Sequence, residues 1–414
     1  MRPINLTEPM PTEKTGYQPQ RAAVWMLAFR PFFLGGSILA LLSISYWSLL
    51  LGGQVSWPLN IPAMVWHAHE MMFGFASVIA MGFLLTAAQT WTGVPSISKG
   101  SLMMLTSLWL IARVMFFVKL PMISPIGADL NLYLVILFQG AWWGGGILTL
   151  SRMLVKARNK QNYPFIGILT ILFGFNMLFL YLVSEQQSVL ALKVCDASVF
   201  AFTLLIGIVA GRVIPFFTAR GLLLSEQVKC PRLDRLIWIV TLVVIISFIG
   251  KSLFSIDTLP GGIIAILAFL HLLRSVFWWR KEIINVPLLW SLQLAYFALG
   301  VGLAFIALSF FNTHIFFKDA LHLITIGSIG MMIMSMMARV SLGHTGRPLK
   351  TPYFVNLAFV LIFCSAVSRS LLPLFINVSH AWLLSGVLWS LGFILFLFHY
   401  FPILINKRID GRLG

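Results

Sequence analysis

The stretch Trp66-His67-Ala68-His69-Glu70 places two imidazoles and a carboxylate at the start of a long apolar run. Neutral imidazole is a ligand for haem iron, copper and zinc. A carboxylate beside it orients the ring or carries a proton, so Glu70 is the catalytic candidate. Such groups are costly inside a bilayer and mark function there by default. Residues two apart on a helix point about 200° away from each other. On a regular helix His67 and His69 therefore face different sites, one a haem and the other a second metal. The competing reading is a pair of interfacial histidines bonded to water and backbone.

Other residues extend this set. His322 opens a second apolar run, and paired with His69 it would supply both axial ligands of one haem; alone it reads as a packing histidine. His314 lies one loop earlier and is placed to join His67 at a copper or open-iron site. His380 has the same option, although a solvated loop histidine is its simpler reading. Arg113, Lys251 and Arg369 sit inside apolar runs. Anionic haem propionates need such partners in low dielectric, while snorkelling toward headgroups competes for Lys251. Arg212 and Arg339 lie at the opposite ends of their runs, where snorkelling is the better explanation. His344 stands 22 residues after His322, roughly 33 Å along a helix, so the two cannot share a metal. His271 and His399 read as packing residues. Met331, Met332, Met334, Met336 and Met337 cover every face of their run and read as adaptable packing, not copper ligation. Cys195-Asp196 is a further position of interest on the sixth run.

These residues must be held by helices in a membrane. Hydrophobic residues make up 59% of the 414 and charged residues 10%, against roughly 25% charged in a soluble domain. A hydrocarbon core about 30 Å thick takes about 20 apolar residues per helix. Twelve such runs fall at 32–52, 66–90, 101–118, 130–150, 165–183, 194–217, 236–256, 262–279, 287–311, 320–340, 353–374 and 381–404. The fold class is therefore all-α, a polytopic membrane protein forming one transmembrane domain over residues 1–414, with helices 3 and 8 the shortest. The net charge of +17 does not indicate a nucleic-acid surface, because the cations gather in short loops. Of the 29 lysines and arginines, only Lys119, Lys193 and Lys318 fall in loops on the histidine side. By the positive-inside rule both termini are cytoplasmic. No cleavable signal peptide is expected before the first helix. Cys195, Cys230 and Cys364 form neither a disulfide framework nor a CxxC pattern.

The chain also matches itself. A shift of 253 residues carries His69 onto His322, Gly74 onto Gly327, Met81 onto Met334 and Pro95 onto Pro348. A shift of 127 carries Arg212 onto Arg339, Thr218 onto Thr345 and Arg220 onto Arg347. The period spans four helices, which predicts three pseudo-symmetric groups over 32–150, 165–279 and 287–404. The position matching His69-Glu70 on the sixth run is Cys195-Asp196. Twelve helices in three arcs of four resemble subunit I of the haem-copper oxidases, with haem ligands on helices 2 and 10. The paired histidines those oxidases carry on helix 7 are missing here. No P-loop, dinucleotide fingerprint, nucleophile elbow or HExxH motif is present.

Several ordered motifs resemble the NnrS family. They are Phe29-Arg30-Pro31-Phe32-Phe33-Leu34, Trp66-His67-Ala68-His69-Glu70-Met71, Gly211-Arg212-Val213-Ile214-Pro215-Phe216-Phe217-Thr218, and the stretch from His322-Leu323 to Arg339-Val340-Ser341-Leu342-Gly343-His344-Thr345-Gly346-Arg347. The resemblance implies a bacterial inner-membrane protein with haem b and copper, made in response to nitric oxide and conferring tolerance to it. It marks His67, His69, Glu70, His322, His344, Arg212 and Arg339 as family positions. Gln293 follows Leu288-Leu289-Trp290 where the family often has a histidine, which puts a metal role there in doubt. The expected function is to bind, and as an oxidoreductase to reduce, nitric oxide near the outer leaflet, with electrons from quinol. His69 and His322 would hold the haem, and His67 with His314 the second metal. The alternatives are a transporter or handling protein for haem or copper, and a sensor without turnover.

Overall fold

The structure, a computed structural model, describes residues 23–118 and 130–411. The segment before Ala23 and Lys119, both used in the charge reading, lie outside them. All regular structure among the described residues is helical, and twelve helices are long and apolar enough to cross a membrane. They are α1 Phe29–Leu51, α2 Ala63–Thr92, α3 Lys99–Phe117, α4 Leu130–Lys156, α5 Lys160–Ser184 and α6 Ser188–Gly221. Then follow α7 Pro231–Phe254, α8 Pro260–Trp278, α9 Pro287–Ser309, α10 Phe317–His344, α11 Tyr353–Leu374 and α12 Val378–Ile405. Each matches one expected run. Helices α3 and α8 are the shortest at 19 residues each.

Local chemistry sets the ends. Pro231, Pro260 and Pro287 occupy the first turns of α7, α8 and α9, where a missing N–H costs nothing and φ is already helical. The Ser98 hydroxyl accepts from the Ser101 N–H at 3.3 Å and starts α3. Gly93 closes α2 with φ +66°, a left-handed conformation that favours glycine. Helix α6 runs well beyond its apolar stretch at both ends. Its outer turns carry Lys193 and Arg220, which hydropathy alone cannot assign to a helix.

The order of packing positions the candidate residues. Helices α2, α6 and α10 are the most deeply buried and touch one another at the centre. The remaining helices surround them, and α1 packs along α12 to close the ring. Lipid offers no hydrophobic drive between helices, so close approach depends on small residues. A Cβ on Gly82 would lie 2.9 Å from Cβ of Phe32, and one on Gly302 would lie 2.6 Å from Cγ1 of Ile324. These glycines bring α2 against α1 and α9 against α10.

Two central helices leave α geometry at matching places. Helix α2 is π-helical over Glu70–Ala76 and α10 over Leu323–Gly330. The segments begin at residues 253 apart, the shift that relates His69 to His322. Helix α6, the third member of the expected series, has no π segment. The contacts thus establish a central trio and a local likeness of α2 to α10, not a threefold repeat.

Candidate functional site

His67 and His69 face opposite sides of α2, as their spacing requires, and each belongs to a different constellation. His69 is 1% exposed and sits in a closed ring of side chains from α2 to α5. Two donor-only groups fix every orientation in that ring. The Trp143 indole donates to Asn176 Oδ1 at 2.9 Å, so the Asn176 amide nitrogen must be the group that meets His69 Nε2 at 3.0 Å. Nε2 is therefore an acceptor, and Nδ1–H donates to Glu70 Oε1 at 2.8 Å. Arg113 donates through Nε to Glu70 Oε2 at 3.2 Å and through Nη1 to Gln139 Oε1 at 2.7 Å. The Gln139 amide nitrogen then donates to Asn176 Oδ1 at 2.9 Å and closes the ring.

The π segment is part of this construction. A π turn displaces carbonyls from their α partners. Phe73 and Gly74 present theirs to α3 and α4: Gln139 Nε2 donates to Phe73 O at 3.0 Å and the Trp109 indole to Gly74 O at 3.1 Å. Gly74 also leaves room for the charges. A Cβ there would lie 2.9 Å from Glu70 Oε2 and 3.2 Å from Arg113 Nη2. Gly74→Ala is therefore expected to lose about 1–3 kcal/mol of stability through overpacking. Thermal unfolding of the purified variant measures it, and an unchanged midpoint would refute the tightness of this contact.

The second constellation surrounds His67. Its ring stacks on Trp47 of α1, with centroids 4.6 Å apart and planes 15° apart. It lies within electrostatic reach of Arg369 on α11 and of His322 on α10. Among the described residues its Nδ1 has no hydrogen-bond partner, although the atom is buried. His322 Nδ1 lies 2.6 Å from the Lys318 carbonyl. That oxygen can only accept, so Nδ1 carries the hydrogen and the Nε2 lone pair is free for a ligand. His67 and His322 are each half-buried, whereas His69 is 1% exposed.

Ion pairs lock α10 in place beneath His322. Lys318 donates to both oxygens of Asp196 on α6, at 2.6 and 2.8 Å. The adjacent Asp319 pairs with Arg369, whose guanidinium also lies 4.2 Å over the Trp382 ring. Consecutive residues thus tie α10 to α6 and to α11, which fixes its rotation and the direction of His322.

The remaining expected site residues lie elsewhere. The structure does not bring His69 to His322, because the π turn and the ring hold His69 toward α5. Arg113 and Arg369, read as partners for propionates, each pair with a protein carboxylate, Glu70 and Asp319. Lys251 pairs with the exposed Asp257. Arg212 binds Asn162 and the Gln161 carbonyl, and Arg339 lies 3.7 Å over the Phe217 ring. His314 is exposed in a loop and His380 is exposed in the first turn of α12, not in a loop as expected, and His314 takes no part in the His67 group. His344 sits near Phe29 with ring centroids 5.7 Å apart, at the end of α10 away from His322. Cys195 is buried beside the ring, its thiol 3.7 Å from the Ala68 carbonyl. Among the described residues no three or more histidines, cysteines and carboxylates come together.

The sequence reading passed over Trp47, Gln139, Trp143, Asn176 and Asp319. Gln139 and Asn176 carried a signal: an amide inside an apolar run is costly enough to imply a partner. Nothing in spacing pointed to Trp47.

A family model described as NnrS protein matches residues 23–408. No curated protein matches the chain.

Proposed function

This chain belongs to the NnrS family, whose role lies in the response to nitric oxide, and we propose that it meets nitric oxide at a haem held between His67 and His322. The observation that carries this reading is the free Nε2 of His322, set by its Nδ1–H bond to the Lys318 carbonyl. Metal-bound histidines are commonly oriented by such a bond on the other nitrogen. The unpartnered Nδ1 of His67 within electrostatic reach of that ring and the Arg369 charge beside both complete a donor set that fits haem. A haem bound there would supply iron to take up nitric oxide and an electron for its reduction.

The protein's own groups perform the rest. Lys318 and Asp319, through Asp196 and Arg369, hold α10 so that His322 keeps its direction. Trp47 supports the His67 ring and keeps lipid from it. Arg369 offers a cationic face to anionic substituents while Asp319 balances its charge. Glu70, locked between His69 and Arg113, keeps charge in the membrane without exposing it and maintains α2 in the π geometry next to His67.

The optical and EPR spectra of the purified full-length protein, with and without nitric oxide, test this reading. Haem absorption and a new nitrosyl signal on adding nitric oxide are the expected result. A protein purified from haem-replete cells without haem absorption would overturn it.

A further inference from the structure

Five arginines are buried among the described residues: Arg30, Arg113, Arg274, Arg339 and Arg408. A guanidinium taken out of water needs acceptors for its N–H groups and an opposite charge nearby. Four of the five find acceptors within the protein. Arg30 donates to the carbonyls of Leu404 and Asn406 at 3.0 and 2.7 Å. Arg113 donates to Glu70 and Gln139. Arg274 donates to Asp234 at 2.7 Å and to the Tyr296 hydroxyl at 2.6 Å. Arg408 donates to the two oxygens of Asp410 at 2.9 and 2.6 Å.

Arg339 on α10 is the exception. It is 8% exposed, and among the described residues its guanidinium makes no hydrogen bond and no ion pair. What it meets is the ring of Phe217 on α6, 3.7 Å away. A stack on an aromatic face stabilises less than the burial of a guanidinium costs. Snorkelling does not restore the balance. Helices α6 and α10 both belong to the central trio, so the side chain is turned into the bundle and away from lipid headgroups. Arg339 stands five residues before the end of α10 at His344. Its partner therefore comes from the water at the lysine- and arginine-rich end.

The hydroxyl of Ser335 is a second unmet group. Ser335 is 0% exposed, and its Oγ has no partner among the described residues. Other buried hydroxyls on the central helices return to a carbonyl one turn back, Thr86 to Gly82 at 2.7 Å and Thr345 to Ser341 at 2.6 Å. Ser335 does not. It stands four residues before Arg339, on the same face of α10. A long helical side chain leans over the turn that precedes it, so the Arg339 fork and the Ser335 hydroxyl share one side of the helix. A buried water would satisfy the hydroxyl but would leave the charge unbalanced.

We propose that Arg339, Ser335 and Phe217 form a binding site for a small planar oxyanion with a single negative charge, reached from the aqueous phase at the basic end. The guanidinium fork offers two parallel N–H bonds to two oxygens of one planar group. The Ser335 hydroxyl donates to an oxygen, and the Phe217 face supports the guanidinium from behind. One arginine calls for one charge, and its enclosure calls for a small ligand. Nitrite, nitrate, formate and bicarbonate make up this class, and the first two are stable oxyanions of nitric oxide. The site lies 17 residues from His322, roughly 25 Å along the helix, and does not rest on a bound haem.

Isothermal titration of the full-length protein in lipid nanodiscs with nitrate tests this, nitrate being trigonal, monovalent and a weak ligand for iron. Saturable binding of one nitrate per chain is expected, displaced by nitrite and formate but not by equal chloride. Arg339→Lys keeps the charge and loses the fork, and Ser335→Ala loses one hydrogen bond. Each is expected to weaken nitrate about ten-fold or more, the scale of one hydrogen bond to a charged group. Unfolding midpoints without nitrate show whether a variant is folded. Should Arg339→Lys fail that check, Ser335→Ala decides, because it removes an atom without a protein partner. No saturable binding in the wild type, equal affinity for chloride, or wild-type affinity in a folded variant would overturn the site. Nanodiscs of neutral and of anionic lipid separate the two sources of anion: if anionic lipid abolishes nitrate binding, a headgroup pairs with Arg339 and the aqueous oxyanion is refuted.

Discussion

Replacing Arg113 with leucine is expected to destabilise the protein by about 3–5 kcal/mol, the cost of stranding one member of a buried ion pair. Glu70 is 1% exposed and among the described residues has no second arginine or lysine in hydrogen-bond contact. Its other partner is His69, a neutral imidazole in the arrangement that Trp143 and Asn176 enforce. Without Arg113 the carboxylate keeps one donor where it had two, in a medium that penalises charge severely. Gln139 loses the donor that fixes its amide, and the Trp109 carbonyl loses a bond of 2.8 Å. The loss therefore spreads through the ring instead of stopping at one pair. The double variant Glu70→Gln, Arg113→Leu removes the stranded charge and is expected to recover a large part of the loss. Unfolding midpoints of the three purified proteins measure both effects. A single variant as stable as wild type would mean that Glu70 holds a proton in the native state and that the pair is not ionic.

The ring also shows which features a sequence discloses. Composition and charge in the loops sufficed for twelve helices, because lipid imposes a length and an apolarity on each crossing. The separation of His67 from His69 followed from helix geometry alone. What distance along the chain cannot give is the rotation of one helix against another. His69 and His322 are related by the 253-residue shift and both precede π turns, yet the neighbours they meet differ. Asn176 takes the Nε2 of His69, and among the described residues nothing comparable caps His322. That difference lies on α5, more than 100 residues from either motif, as an amide in an otherwise apolar run. Arg113 and Arg369 were legible as intramembrane cations in need of anions. Their partners were not, since Glu70 and Asp319 become neighbours only once α3 packs near α2 and α11 near α10. His271, read as a packing residue, shows the same limit: it meets Tyr296, and through it Arg274 and Asp234, only once α7, α8 and α9 pack together.

The second large effect separates the two histidines of α2. His67→Ala and His322→Ala are each expected to lower haem affinity by more than about 100-fold, beyond the 10–100-fold typical of losing a residue that only supports a metal ligand. His69→Ala is expected to keep haem and its spectrum while losing about 1–3 kcal/mol of stability, as Glu70 and Asn176 each lose a partner. Haem per protein in the purified variants, read with their unfolding midpoints, distinguishes a ligand from a member of the ring. The opposite pattern, with His69 required and His67 dispensable, would transfer the ligand to the sealed side of α2. Asn176 would then have to release Nε2 before any metal could bind, and Asn176→Ala would be expected to raise haem affinity. With His67 as the ligand, Asn176→Ala instead leaves haem affinity unchanged and lowers stability alone. The two assignments therefore differ in sign at a residue that touches neither His67 nor His322, which makes Asn176 the sharpest discriminator between them.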